Sequence, residues 1–138
     1  MPFLTIFTAP KPFTHPHIAL IQRNALRSWQ ALGDEVEVLV IGDEPGIAET
    51  TAEQGIRHLP EVARNSYGTP MIGSLFNQAR ENGSGDLLAY VNADILLLPD
   101  FLACAKIVAT QADQFLLVGQ RWDLNVKEPL DFTSGYEQ

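Results

Sequence analysis

Apolar residues follow two different periods along the chain, and the period changes several times. Short apolar and β-branched runs are typical of strands, whereas apolar residues at spacings of three and four are typical of helices. The runs predict strands at residues 3–8, 36–41, 56–59, 86–91 and 115–119. The helical spacing predicts helices at residues 18–32, 47–54, 70–82 and 99–111. Strands and helices therefore alternate along the chain.

This alternation predicts an α/β fold with a doubly wound, mostly parallel sheet and helices on both faces. The run at residues 36–41 is apolar almost throughout, as in a strand that is buried on both faces. We expect one domain over residues 1–125, followed by an irregular tail at 126–138 that is either loose or packed as an extended arm. Ligands of such sheets bind at the carboxyl ends of the strands, so the residues that follow each strand are the candidates for function.

Composition narrows the class of protein. Of 138 residues, 46% are hydrophobic and 19% are charged, which is typical of a soluble globular domain. The net charge of -8 and the scattered basic residues argue against a nucleic-acid partner, and a polyanionic ligand would need a cation or a local arginine. Cys104 is the single cysteine, so no intrachain disulfide can form. No signal-peptide pattern and no apolar run of about 18 residues is present, which predicts a cytoplasmic protein without a membrane span.

The tripeptide Asn92-Ala93-Asp94 follows the predicted strand at residues 86–91. Its two polar side chains fall on the same side of an extended strand end and offer hard oxygen ligands. Such ligands suit Mg²⁺ or Mn²⁺, which take their remaining positions from water or a substrate diphosphate. The alternative is a simple turn, since asparagine and aspartate are favoured there. A polar island between two apolar stretches is nevertheless expensive to bury without a partner.

The stretch from Leu88 to Leu97, followed by Pro99-Asp100-Phe101, resembles the Asp-x-Asp region of nucleotide-sugar glycosyltransferases with the GT-A fold. The likeness is to the N-terminal, donor-binding half of family 2-like members and covers roughly residues 3–123. It implies that Asp94 and Asn92 hold a divalent metal, Mn or Mg, that bridges the diphosphate of the donor. The family usually has aspartate where this chain has Asn92, so Asp94 is the main ligand candidate.

The resemblance also implies further contacts to a nucleoside-diphosphate sugar. The loop after the first strand would hold the nucleoside, and an acidic residue after the second strand would lie near the base or ribose. These candidates are Thr8, Ala9 and Pro10, then Asp43 or Glu44, and Asn77 on the helix before the motif strand. Arg64 precedes a predicted helix N-terminus and could pair with phosphate, although a solvated surface arginine is the alternative. Residues 43–46 are also a good turn sequence.

Two functions are consistent with these residues. The first is a glycosyltransferase that moves the sugar to an acceptor of undetermined kind, and the second is a non-catalytic nucleotide-binding or assembly module. The chain has no phosphate-binding P-loop and no Gly-x-Gly-x-x-Gly after the first strand, which argues against mononucleotide-hydrolase and dinucleotide-binding families. The family's acceptor half has no counterpart here, so we expect a truncated protein, a fragment, or one completed as a homo-oligomer. No catalytic base is assigned, and whether the chain is an enzyme stays open.

Overall fold

The computed structural model describes residues 2–120, 123 and 125–132. Within those residues, four strands and four helices alternate along the chain. In order they are β1 (Leu4–Thr8), α1 (Pro16–Gln30), β2 (Val36–Ile41), α2 (Ile47–Gln54), β3 (Arg57–Leu59), α3 (Ile72–Asn82), β4 (Leu87–Tyr90) and α4 (Pro99–Gln111). None of the helices in the described ranges is both long and apolar enough to cross a membrane.

The four strands form one parallel sheet in the order β3-β2-β1-β4. β1 is an inner strand, and its residue Leu4 pairs with Val36 of β2 on one side and with Leu87 of β4 on the other. The chain therefore moves outward from β1 through β2 to β3, and then crosses to the other side of β1 to form β4. The α/β class and the parallel sheet that the sequence predicted are confirmed.

Strand side chains alternate between the two faces of a sheet, and the buried residues of this protein fall into two clusters. Leu4 and Ile6 of β1 belong to one buried cluster, and Phe7 belongs to another. The first cluster includes residues of α1, α2 and α4, namely Ala25, Leu26, Trp29, Ile47 and Leu102. The second includes Leu75 and Ala79 of α3, and Phe7 packs edge-on against Phe76 with ring centroids 4.8 Å apart.

The predicted fifth strand at residues 115–119 is absent from the structure. These residues pair with no described strand, and their apolar side chains are exposed, including Leu116 at 89% and Val118 at 80%. An apolar run becomes a strand only where a neighbouring strand supplies hydrogen-bond partners, and the run itself does not show whether such a neighbour exists. The predicted helix at 70–82 also begins two residues later, because Pro70 forms an isolated bridge with Arg64 instead of the first helical turn.

Helix α1 buries polar side chains that the spacing of its apolar residues did not predict. Gln22 is 2% exposed; its carbonyl accepts a hydrogen bond from the Lys11 N–H, and its amide donates to the Lys11 carbonyl. Asn24 is 1% exposed; it donates to the Glu128 carbonyl and accepts from the Leu130 N–H. The described part of the tail, residues 126–132, is therefore an arm fastened to α1, and residues 133–138 lie outside the described ranges.

Glu37 holds together the amino-terminal edge of the sheet, opposite the strand ends where a ligand is expected. Its carboxylate accepts hydrogen bonds from the Ser84 N–H at 2.8 Å, the Ser84 hydroxyl at 2.8 Å and the Thr5 hydroxyl at 3.0 Å. Burial by itself raises the pKa of Glu37, but the hydrogen bonds from Ser84 and Thr5 and the charge of Arg57 outweigh it and lower the pKa below 4.5. The ionised carboxylate therefore stabilises the folded state.

We expect this stabilisation to disappear in acid. Because the pKa of Glu37 is lower in the folded chain than in the unfolded one, its contribution is complete above the unfolded value of 4.5 and is lost as the pH falls through the folded value. In urea unfolding between pH 7 and pH 3, Glu37→Gln should flatten the decline of unfolding free energy relative to the wild type. Glu53→Gln, at an exposed position of α2, is the control and should follow the wild-type curve. Identical curves for all three proteins would contradict the role of Glu37.

Candidate functional site

The carboxyl ends of β1, β2 and β4 meet at one edge of the sheet because the strands are parallel. Thr8, the last residue of β1, pairs with Val40 of β2, and Phe7 pairs with Tyr90 at the end of β4. The Val91 N–H donates to the Phe7 carbonyl at 3.3 Å, so the hydrogen bonding between β1 and the segment of β4 continues one residue beyond β4. The residues after β4 therefore leave the sheet beside the loop that follows β1.

Asn92-Ala93-Asp94 forms a turn, in which the Ile95 N–H donates to the Asn92 carbonyl at 3.1 Å. Ala93 is 6% exposed and packs inward, whereas Asn92 and Asp94 are exposed. The two polar side chains thus avoid the burial cost expected of a polar island, and their oxygens face solvent. Burial, followed by the negative charge of Asp94, raises the pKa of Tyr90 above its ordinary value.

Two side chains of α1 fix the loop that follows this turn. The indole N–H of Trp29 donates to the Ile95 carbonyl at 2.9 Å. The Ser28 hydroxyl accepts from the Leu97 N–H at 3.1 Å and donates to the Ala25 carbonyl at 2.6 Å. Both side chains are fully buried, so Asp94 projects from a backbone that is held against the core. The apolar spacing predicted Trp29 as a core residue but gave no sign of this hydrogen bond.

Thr8 carries an unsatisfied polar atom at the same edge of the sheet. Its side chain is 0% exposed, and its hydroxyl has no hydrogen-bond partner among the described residues. Leaving a buried hydroxyl unpaired costs about 1–3 kcal/mol, so a hydrogen-bond partner such as an ordered water would stabilise this position. The next residues of the predicted loop, Ala9 and Pro10, are half-buried and buried.

Arg64 joins the two acidic candidates that follow β2. Its guanidinium donates to Asp43 at 2.9 Å, to Glu44 at 2.7 Å and to the Gly68 carbonyl at 2.8 Å. The sequence predicted Asp43 or Glu44 near the base or ribose, and Arg64 as either a phosphate partner or a solvated surface residue; the structure brings all three side chains into one ion cluster. Pairing of Arg64 with phosphate remains a prediction and would require an exchange of partners. Such an exchange would cost little free energy, because partly exposed ion pairs contribute only about 0–1 kcal/mol each.

Asn77 lies apart from this group of candidates. It occupies the middle of α3, where it accepts a hydrogen bond from Arg80 at 3.3 Å. It lines an open groove of about 320 Å³ together with Ala63, Met71, Ser74, Gln78 and Glu81. None of the other candidate residues lines that groove, so the geometry does not bring Asn77 together with Asp94.

The donor set at the turn suits a metal shared with a ligand rather than a closed protein site. Within the described ranges, no group of three or more histidine, cysteine, aspartate or glutamate side chains is arranged to hold a metal ion. Asp94 and Asn92 would supply at most one carboxylate and one amide oxygen. Mg²⁺ in phosphate-transfer sites is commonly bound in this way, through one or two carboxylates, waters and substrate phosphates. The residues present therefore fit a metal that arrives with a phosphorylated ligand.

No model of a known protein family matches this chain, and no curated protein sequence matches it. The fold and the edge described above define an α/β protein with a parallel sheet. Because one such fold hosts many unrelated functions, the function has to be argued from the candidate site itself.

Proposed function

We propose that this chain is the donor-binding part of a glycosyltransferase with a doubly wound sheet of the GT-A type. In this proposal Asp94, helped by Asn92, binds Mg²⁺ or Mn²⁺, and the metal bridges the diphosphate of a nucleoside-diphosphate sugar. The metal would supply Lewis-acid stabilisation of the departing diphosphate. Transfer of the sugar to an acceptor belongs to the same proposal, and the acceptor is left open.

The observation that carries the proposal is the position of Asn92-Ala93-Asp94 in the strand order. The chain builds β1, β2 and β3 in one direction and then returns to place β4 on the other side of β1. In open parallel sheets, ligands bind outside the carboxyl ends of the strands, where the strand order reverses. Here the reversal falls between β1 and β4; Thr8 is the last residue of β1, and Asp94 follows the end of β4.

Two further features support a nucleotide at this edge, and the net charge of the chain adds the requirement for a cation. The buried Thr8 hydroxyl has an unused hydrogen-bonding capacity among the described residues, which a ligand atom or a bound water could satisfy. Asp43 and Glu44 follow the neighbouring strand and could accept hydrogen bonds from ribose hydroxyls or base N–H groups. The net charge of -8 disfavours a bare polyphosphate, so the proposal requires the cation.

A second candidate function is a nucleotide-binding or assembly module without catalysis. The observation that favours it is the donor set itself, in which Asn92 contributes no charge and Asp94 is the only carboxylate of the turn. Fewer charged ligands lower the affinity for a divalent cation. Both candidates share nucleotide binding at this edge, and they differ in whether the metal is bound tightly enough to support transfer.

Titration calorimetry tests the proposed function. We expect the protein to bind UDP or GDP in the presence of Mn²⁺, and to bind the same nucleotide at least about tenfold more weakly when the metal is chelated, because the metal neutralises the diphosphate. Binding that is equally tight with and without metal would favour the non-catalytic module. Absence of any binding to UDP or GDP with Mn²⁺ would exclude the proposal.

A further inference from the structure

Tyr67 is the most exposed large apolar side chain of the described chain, with 92% of its surface accessible. It lies in the loop between β3 and α3, which leaves the sheet at the same carboxyl edge as the candidate site. Nothing assigned so far to the nucleotide site uses this residue. An isolated exposed tyrosine is unremarkable by itself, so its significance depends on how the loop is built.

The loop around Tyr67 is fixed by its own hydrogen bonds. The Asn65 side chain accepts from the Tyr67 N–H at 2.9 Å and from the Thr69 N–H at 3.1 Å. The Asn65 backbone also exchanges hydrogen bonds with Gly68 and Thr69, each at 3.0 Å. Several polar groups of the loop are thus satisfied internally, and the large apolar side chain that this exposed loop presents to solvent is that of Tyr67.

The same loop is attached to the acidic candidates of the site. Arg64 binds the Gly68 carbonyl, next to Tyr67, with the guanidinium that also binds Asp43 and Glu44. A single side chain therefore ties the backbone of the Tyr67 loop to the two carboxylates. Along the edge of the sheet, Asp94 lies at the β4 end and this cluster lies at the β2 and β3 end. A ligand whose diphosphate is at Asp94 would extend its nucleoside toward the cluster.

We infer that Tyr67 is a stacking platform for the base of the nucleotide, an inference that rests on the proposed function. Aromatic side chains bind bases through their π-faces, and this contact is tolerant of base identity. The fixed loop has already lost its conformational freedom, so stacking requires little further ordering. The neighbouring carboxylates provide acceptors for base or ribose donors but no ring face, and Tyr67 supplies the missing element.

The test compares nucleotides with a ligand that has no base. Tyr67→Ala should weaken the binding of UDP and GDP, with Mn²⁺ present, by about 5- to 100-fold, the range expected for one stacked base. Tyr67→Phe keeps the ring and should bind almost as the wild type does. Inorganic pyrophosphate with Mn²⁺ should bind all three proteins equally. Leu116→Ala removes another highly exposed apolar side chain, 89% accessible, and serves as the matched control.

The outcomes separate this inference from the proposed function. If pyrophosphate binds with Mn²⁺ but Tyr67→Ala affects the nucleotides no more than Leu116→Ala does, the platform is excluded and the metal site stands. If pyrophosphate does not bind, yet uridine or guanosine binds and Tyr67→Ala weakens it, the metal site fails and the platform stands. If no nucleoside or nucleotide binds the wild type, both are excluded. Unchanged thermal unfolding of the variants would confirm that the fold is intact.

Discussion

Gly85→Ala is expected to destabilise the protein by about 3 kcal/mol or more, at or beyond the upper end of the usual range for overpacking. A Cβ atom at this position would lie 2.5 Å from the Thr5 nitrogen and 2.6 Å from the Leu4 carbonyl carbon. Both atoms belong to the backbone of β1, which pairs with β2 on one side and β4 on the other, so it cannot move without disturbing both ladders. Urea unfolding of wild type and variant measures the difference.

Gly73→Ala is the matched control for this substitution. Gly73 is inside α3, and a Cβ there would meet no heavy atom within 4 Å. Gly73 is the second residue of the helix, so alanine gains at most the roughly 1 kcal/mol that it has over glycine in a helix interior, and this variant should be as stable as the wild type or slightly more stable. Equal stability of Gly85→Ala and the wild type would mean that the turn before β4 does not pack against β1 as described.

The bounds of β1, β2 and β4 were predictable from sequence because apolar runs leave a simple pattern. The apolar run predicted a strand at residues 36–41, and β2 has those bounds. β1 and β4 lie within one residue of their predictions at each end. Strands of a covered parallel sheet are apolar along most of their length, and these three runs have that composition.

The failures concern interactions between residues that are distant in sequence. The apolar run at 115–119 satisfies the same composition rule, but its local pattern carries no information about a partner strand. Nothing in the sequence indicated that Asn24 is buried, and its hydrogen-bond partners are 104 and 106 positions away. Arg64 appeared as a free cation, whereas it binds Asp43 and Glu44, about 20 residues earlier in the chain. Hydrogen-bond partners of this kind become visible only in the folded chain.

The location of the candidate residues at the strand ends was predictable from sequence, but the ion pairs among them were not. Strand-end residues could be recognised because the alternation of elements predicts a parallel sheet, and parallel strands present their carboxyl ends together. Arg64 is shared between two carboxylates, which changes the expected charge of this part of the edge. The cluster carries a formal charge of about -1 instead of offering a free guanidinium. A diphosphate thus meets a negative edge at both Asp94 and the cluster, which increases the importance of a metal ion.

Asp94→Ala is expected to abolish the metal-dependent part of nucleotide binding. Asp94 is the only carboxylate of its turn, so its removal should weaken Mn²⁺-dependent UDP or GDP binding by more than the roughly 10- to 100-fold typical of losing an outer-shell partner of a metal ligand. Its side chain is exposed, so the fold should be retained. Calorimetric titration with and without Mn²⁺ measures the effect.

Asp86→Ala provides the control for this experiment, because Asp86 is an exposed aspartate directly before β4, at the opposite end of the same strand. It removes the same charge from the chain and should leave metal-dependent binding unchanged, which separates ligation from a general effect of net charge. Asn92→Asp should act in the opposite direction and strengthen metal-dependent binding, since it adds a second carboxylate to the turn. If Asp94→Ala and Asp86→Ala bind the nucleotide with equal affinity, the metal is not held at this turn, and the edge beside β2 and β3 becomes the place to look for it.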